Sequence, residues 1–182
     1  SAPTRPMAVT EEPSQALPDA EGYQAAVDAL HNEHYAESEQ LIASVLARQP
    51  KQARARVLLA ALLANRHAIP EAQAQLDAAL QVMPLLADAY VLRAVIALEQ
   101  DAPDHAQQAL QSALYSERDN LLASYHLGML ALQRGDLPRA YRAWQVVQAG
   151  LRAYAAEDFV ADWSDLRAGA LRSVIDAHLN DP

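Results

Sequence analysis

The chain has 182 residues, of which 52% are hydrophobic and 20% are charged, with a formal net charge of −9 and no cysteine. This composition excludes disulfides, zinc–thiolate sites and cysteine nucleophiles, and the acidic charge disfavours nucleic acid as a partner because it repels phosphates. No apolar run reaches the roughly 20 residues that cross a bilayer, so we expect no membrane insertion, and the absence of cysteine fits a reducing, cytoplasmic location.

The N-terminal segment, residues 1–18, has the composition of a linker. It contains Pro3, Pro6, Pro13 and Pro18 among Ser, Thr, Glu and Gln residues. Each proline removes a backbone donor and blocks helix propagation. We therefore expect a flexible, proline-rich linker over 1–18, and a tail without a role is the simplest alternative.

After this segment the sequence repeats at the interval that separates Pro50 from Pro84, which is the period of the tetratricopeptide repeat. Small residues recur where two helices would cross closely, and larger apolar residues recur on one stripe of the second helix. These columns are Ala26, Ala60, Ala94 and Gly128; Ser38, Ala72, Ala106 and Ala140; Ile42, Leu76, Leu110 and Trp144; and Val45, Ala79, Ala113 and Val147.

The columns predict an all-α fold, in which tetratricopeptide repeats form a right-handed superhelix of antiparallel helix pairs. We expect four repeats over residues 19–152, stacked so that each covers the apolar face of its neighbour. Apolar residues at helical spacing continue from Val160 to Leu179. They predict a C-terminal capping helical segment over 153–182, with one or two helices and with Trp163 buried against the fourth repeat. An ordinary helical bundle with an accidental period is the alternative.

Patterns typical of catalysis are missing from the sequence. It contains no glycine-rich phosphate loop, no G-x-S-x-G elbow and no H-E-x-x-H pair. His31 and His34 are one helical turn apart, but no carboxylate–histidine pattern completes a metal site around them. We therefore expect a binding module without enzymatic activity, metal or cofactor.

A binding surface follows from the repeat register, because the first helix of each pair lines the concave face of a tetratricopeptide array. The predicted protein-binding groove consists of Tyr23, Val27, Arg54, Val57, Asn65, Val91, Val95, Glu99, Tyr125, Met129 and Gln133. This lining is mostly apolar and aromatic, so the expected ligand is an amphipathic helix or an apolar extended segment of another protein. Plain packing between repeats is the alternative interpretation for each of these residues.

Two stretches in the second half of the chain carry a family resemblance. Residues 113–128 have the sequence ALYSERDNLLASYHLG, and RGD follows at 134–136. Residues 165–171, DLRAGAL, are similar to a terminal D-G-L-T-A-G-R-L signature, although Arg167 stands where Thr is usual and Ala170 where Arg is usual. Together these stretches resemble the C-terminal tetratricopeptide extension of CheR-type chemoreceptor glutamate methyltransferases of the surface-sensing or gliding-motility type.

The resemblance implies a regulatory or targeting module in chemotaxis-type signal transduction. The partner would be a chemoreceptor or the methyltransferase domain of the same protein, and that S-adenosylmethionine-dependent domain would lie outside this chain. Residues 1–18 would then be the remainder of an interdomain linker. The alternatives are a freestanding tetratricopeptide chaperone or a secretion or assembly scaffold, and a periplasmic or lipoprotein scaffold. The sequence leaves the oligomeric state open.

Overall fold

A computed structural model describes residues 19–180, so the predicted linker over 1–18 lies outside the described residues. In chain order the helices are α1 Asp19–His31, α2 Tyr35–Arg48, α3 Ala53–Asn65, α4 Ile69–Val82, α5 Ala87–Glu99, α6 Pro103–Ser116, α7 Leu121–Gln133, α8 Leu137–Gly150 and α9 Ala168–Asn180, with a 3-10 turn at Leu151–Ala153 between the last two. In this part of the chain, no helix is long and apolar enough to span a bilayer.

The first eight helices pack as four consecutive pairs, α1 with α2, α3 with α4, α5 with α6, and α7 with α8. The first helices of the pairs begin at positions 19, 53, 87 and 121, and the second helices begin at 35, 69, 103 and 137. The step from one pair to the next is constant and equals the interval between Pro50 and Pro84, so every repeat has the same boundaries. The predicted all-α tetratricopeptide-repeat fold is therefore confirmed.

Close helix crossings explain the columns of small residues. Ala72, Ala106 and Ala140 are 0% exposed, and so is Ser38, which holds the equivalent position in the first repeat. The Ser38 hydroxyl is not left unsatisfied, because Oγ donates a 2.6 Å hydrogen bond to the Ala26 carbonyl of the facing helix. The crossing therefore accepts serine through one local hydrogen bond, whereas a longer side chain would separate the helices.

The fourth repeat has different residues at the crossing of its two helices. In the second and third repeats, a small alanine on the first helix is paired with a leucine on the second helix, as in Ala60 with Leu76 and Ala94 with Leu110. In the fourth repeat this pair is Gly128 and Trp144. A Cβ atom built on Gly128 would lie 2.3 Å from Nε1 of Trp144, which is itself only 1% exposed. The glycine therefore makes the space that the larger indole occupies.

The turn inside each repeat places one residue in the left-handed backbone region. The residues are Glu33, His67, Asp101 and Gly135, with φ of 63°, 62°, 55° and 75°. In each turn the next residue donates its backbone N–H to a carbonyl near the end of the preceding helix, as His34 does to Ala29 at 2.8 Å. This hydrogen bond is the Schellman closure of a helix C-terminus, for which glycine is the preferred left-handed residue. Three of the four turns therefore hold a side chain where glycine would be less strained.

We expect His67→Gly to raise the free energy of unfolding by about 1 kcal/mol, because an L-residue in the left-handed region is strained and the His67 side chain is exposed. Gly135→Ala is the matched control and should lower it by about the same amount. Nothing lies within 4 Å of a Cβ built on Gly135, so this change tests the backbone alone. Urea denaturation followed by circular dichroism measures both variants. A destabilised His67→Gly variant would contradict the strain argument.

Within the described part of the predicted capping segment, α9 is the only α-helix. Leu171 and Ile175 of α9 are buried in one cluster with Trp144, Val147 and Leu151, so α9 covers the end of the fourth repeat. Residues 154–167 form a loop, here called the Trp163 loop, which contains one isolated antiparallel bridge between Phe159 and Arg167. The helical spacing of apolar residues from Val160 therefore predicted a helix where the chain forms a loop.

Candidate protein-binding groove

The Trp163 loop folds back onto the face formed by the first helices of the repeats, which is the concave face of such an array. This face of α1, α3 and α5 is called the groove below. Trp163 packs against three apolar clusters, of which two lie within the first three repeats and the third extends from the third repeat into α7. Trp163 was predicted to be buried against the fourth repeat, but its pocket is lined by side chains of the first three repeats. The loop leads away from α8 before the chain enters α9, and this lets its tip reach the earlier repeats.

Two side chains of α1 hold the loop on the first repeat. The hydroxyl of Tyr23 donates a 2.8 Å hydrogen bond to Oδ2 of Asp162. The ring of His31 stacks on Phe159 with centroids 3.7 Å apart and an interplanar angle of 12°. His31 Nε2 also lies 3.3 Å from the Ala161 carbonyl oxygen. Because Tyr23 was predicted to line the groove, this contact shows the loop occupying predicted groove surface.

The indole of Trp163 fills a small pocket between the first three repeats. Tyr23, Arg54, Val57, Leu86 and Asp88 line it together with Asp162, and the remaining cavity volume is about 10 Å³. A void of this size is at the lower limit for one water molecule. Three predicted groove residues, Tyr23, Arg54 and Val57, therefore meet around this one side chain.

Charge in this pocket is only partly balanced. Burial raises the pKa of Asp88, while the Trp163 indole and the Arg54 guanidinium act in the opposite direction. Arg54 Nη1 lies 3.9 Å from Asp88 Oδ2, which is a loose ion pair. Burial, followed by the hydrogen bond to Asp162, raises the pKa of Tyr23, so its hydroxyl stays a donor at neutral pH. In the described chain the buried Trp163 Nε1 makes no hydrogen bond of good geometry.

An open cavity of about 210 Å³ lies on one side of the loop. It unites three further predicted residues, Asn65, Val95 and Glu99, with Trp163 and Asp165 of the loop. Apolar side chains of α1, α3 and α5 form its floor, which includes Leu30, Ala61, Leu92 and Ile96. Glu99 and Asn65 are exposed at the rim. The cavity is thus large enough for an apolar side chain of a bound segment, and the polar groups at its rim are placed to hydrogen-bond the backbone of that segment.

A second cavity, of about 470 Å³, lies on the other side of the loop and is acidic. Asp88, Glu117, Asp119 and Asp162 line it, against a single cation, Arg54. No group of three or more metal-binding side chains is found among residues 19–180. A positively charged side chain is therefore the chemistry that this cavity favours.

The other predicted residues lie elsewhere. Val27 and Val91 are 2% and 0% exposed and belong to the apolar core. Tyr125 and Met129 are partly buried against the cluster that includes α9, and Gln133 is exposed at the end of α7. Beside Tyr125, burial lowers the pKa of His126 to about 4, so this histidine is neutral in the folded chain at neutral pH. Tyr125 and Met129 of the fourth repeat therefore contact α9 and do not line the groove.

Sequence reasoning missed Phe159, Asp162 and Trp163 as groove contacts. A signal was present, because Phe159 is the only phenylalanine of the chain and one of its two tryptophans follows shortly after it. Both lie in a stretch interrupted by Glu157, Asp158, Asp162 and Asp165. Large aromatic residues in a segment outside the repeats need an apolar surface to cover them. The groove is that surface.

Solved structures of MamA share this fold. MamA 41-end from Desulfovibrio magneticus RS-1 matches with a TM-score of 0.57 at 20% identity, over 75% of this chain and 77% of that chain. Two crystal structures of MamA give a TM-score of 0.55 at 17% and 18% identity; they cover 88% and 85% of this chain, and 87% and 90% of their own chains. At this level of identity the likeness establishes the helical-repeat fold alone.

No protein-family model matches the sequence, and no curated protein matches it. The similarity of residues 113–128 and 165–171 to CheR-type methyltransferases gains no support from these comparisons. It stays a prediction from those residues.

Proposed function

We propose that this chain is a protein–protein interaction module that binds an apolar, extended segment of a partner in the groove of α1, α3 and α5. The observation that carries the proposal is the Trp163 loop itself. This loop is a non-helical segment that lies in the groove and places the half-buried indole of Trp163 between side chains of the first three repeats, next to a void of about 10 Å³. A surface that binds such a segment within the chain has the shape and chemistry to bind one from another protein.

The space beside the loop suits a partner's side chains. The cavity near Val95 has an apolar floor and a polar rim, and the acidic cavity near Asp119 carries excess negative charge. Burial of apolar side chains stabilises the complex by about 25 cal/mol per Å² of apolar surface removed from water. A basic side chain is attracted by the four carboxylates. The partner segment therefore combines apolar or aromatic residues with lysine or arginine.

The finer proposal is that the module targets or regulates a chemoreceptor methyltransferase. The sequences of residues 113–128 and 165–171 support it through their similarity to the tetratricopeptide extension of that family. Its partner is then a cytoplasmic chemoreceptor segment or the methyltransferase domain of the same protein. In this role the groove would hold the enzyme near its substrate helices or control access to its active site.

Val95→Lys is expected to weaken binding of the true partner at least tenfold, because it places a flexible charge in the apolar cavity. Val82→Lys is the matched control. It makes the same substitution at the end of α4, where Val82 is 42% exposed and lines neither cavity beside the loop. Calorimetric titration with a chemoreceptor cytoplasmic fragment, and separately with the methyltransferase domain, gives both affinities.

The outcomes separate the two levels of the proposal. A partner that binds the Val95→Lys and wild-type chains equally well would exclude the groove as its binding site. If neither the receptor fragment nor the methyltransferase domain binds the wild-type chain, the methyltransferase assignment is wrong. Binding of another protein segment with the same dependence on Val95 would then favour the chaperone or scaffold alternative.

A further inference from the structure

We infer that the Trp163 loop is a displaceable ligand of its own groove, and that the partner segment which replaces it carries a carboxylate directly before a large aromatic residue. This inference rests on the proposed function, because it assigns the recognition chemistry and the regulation of that same groove. The loop itself supplies this pattern, because Asp162 and Trp163 are adjacent in sequence. Asp162 accepts a hydrogen bond from Tyr23, and Trp163 lies in the neighbouring pocket.

Side-chain contacts hold the loop on the repeats. Phe159 stacks on His31, Asp162 accepts the hydrogen bond of Tyr23, and Trp163 lies in its pocket. Val160 and Leu166 add apolar contacts with the clusters of the third and fourth repeats. Its regular structure is one isolated antiparallel bridge, with the hydrogen bond from Val160 N to Leu166 O, and local turns such as Ser164 N to Ala161 O add further hydrogen bonds. Segments with few buried contacts and little regular structure open far more readily than packed helices. The loop can therefore leave while α1 to α8 stay folded.

Both ends of the loop adjoin buried residues. Leu151 precedes it and Ala168 follows it, and both are 0% exposed. Ala168 N donates a 2.8 Å hydrogen bond to the Asp158 carbonyl, which closes the base of the loop next to α9. The tip is thus tethered near its pocket at high effective concentration, of millimolar order for a short flexible link. A partner must outcompete this tethered segment, so the loop sets a threshold for binding.

Two features of the pocket determine which side chains it accepts. The Tyr23 hydroxyl donates a hydrogen bond to a carboxylate, and Arg54 adds a positive charge at the same pocket. The adjoining space fits an indole and leaves about 10 Å³ unfilled. A partner residue smaller than an aromatic ring would leave a void there, which weakens packing. Adjacent carboxylate and aromatic side chains satisfy both parts of the pocket, as the loop does.

The test uses a fluorescein-labelled peptide of residues 156–168, AEDFVADWSDLRA, titrated with the full chain and followed by anisotropy. The wild-type chain should bind it weakly because its own loop occupies the groove. A Trp163→Ala chain, whose pocket is vacant, should bind it at least tenfold more tightly. A control peptide with alanine in place of the tryptophan should bind neither chain. Equal affinity for both chains, or binding that does not need the tryptophan, would overturn the inference.

A second variant and a second readout guard against misfolding. Phe159→Ala with Asp162→Ala loosens the loop and leaves the groove helices unchanged, so it should also gain affinity for the peptide. Hydrogen–deuterium exchange of the wild-type chain should show faster exchange in residues 156–167 when the partner binds. If a partner binds with the Val95 dependence described above but exchange in the loop is unchanged, displacement is wrong while the proposed groove function stands.

Discussion

Gly128→Ala is expected to lower the free energy of unfolding by about 2 kcal/mol, within the roughly 1 to 3 kcal/mol typical of overpacking a well-packed core. The added Cβ would lie 2.3 Å from Nε1 and 2.6 Å from Cδ1 of Trp144. The indole cannot easily retreat, because His178 stacks on it with centroids 4.4 Å apart and Tyr141 meets it edge-on. Helix propensity alone would favour alanine over glycine by about 1 kcal/mol, so a loss isolates the clash.

A double-mutant cycle tests the coupling of this pair. Trp144→Leu alone should cost about 3 kcal/mol, because it leaves a cavity under α9. Gly128→Ala with Trp144→Leu restores the alanine and leucine found in the second and third repeats, so its cost should be smaller than the sum of the single changes by about 1 kcal/mol or more. Urea denaturation of the four chains gives the cycle. Strict additivity would mean that the glycine and the tryptophan are independent.

Ala94→Gly is the control for the cycle. It makes the reverse change in the third repeat, where Leu110 is the partner instead of a tryptophan. Because Leu110 is smaller than a tryptophan, the space left by the alanine methyl group is not needed by the facing side chain. The free energy of unfolding should therefore fall only by the difference in helix propensity, about 1 kcal/mol, plus a small packing contribution. A gain in stability there would show that the small-residue column is overpacked throughout the array.

Trp163→Ala is expected to cost about 2 kcal/mol of stability and to release the loop. The cost is smaller than the roughly 3 to 5 kcal/mol typical of a fully buried tryptophan, because Trp163 is only half-buried, although it touches three clusters. Limited proteolysis with trypsin under native conditions reports the release. Cleavage after Arg167, whose guanidinium lies 4.2 Å from the Phe159 ring centroid, should become at least tenfold faster.

Trp163→Phe is the matched control for the loop. It keeps an aromatic ring in the pocket, so it should retain most of the stability and slow cleavage of the wild-type chain. An unchanged cleavage rate in Trp163→Ala would mean that the His31 and Tyr23 contacts hold the loop without the indole. That result would leave the groove permanently covered and would limit partner binding to the two flanking cavities.

The loop and the capping helix are therefore parts of one arrangement. The apolar face of α9 closes the fourth repeat through Leu171 and Ile175, and the fixed start of α9 anchors the loop that reaches the first three repeats. The end of the array is stabilised at one site, while the groove is covered at another. This division explains why the predicted groove residues have different neighbours from one repeat to another. Tyr125 and Met129 contact the cluster that includes α9. Asn65, Val95 and Glu99 border an open cavity.

Local periodicity was enough to give the repeats and their register. Each helix packs mainly on the next one along the chain, so the residues that must be small or apolar recur at a constant interval. The columns through Ala72 and Leu76 were predictable for this reason, and both residues are fully buried. Turn composition was less informative, because Gly135 has the residue type of a left-handed position, whereas Glu33, His67 and Asp101 adopt that conformation without it.

Contacts between distant parts of the chain could only come from the folded molecule. The hydrogen bond from Tyr23 to Asp162 joins residues 139 positions apart. No repeat interval encodes such a contact, because it depends on the path of an irregular loop and on the shape of a pocket built from three repeats. The same holds for Val27 and Val91, which were predicted to line the groove together with Val95 yet are buried. Periodicity assigns a residue to a face of its helix, but the packing of neighbouring elements on that face determines whether it stays accessible.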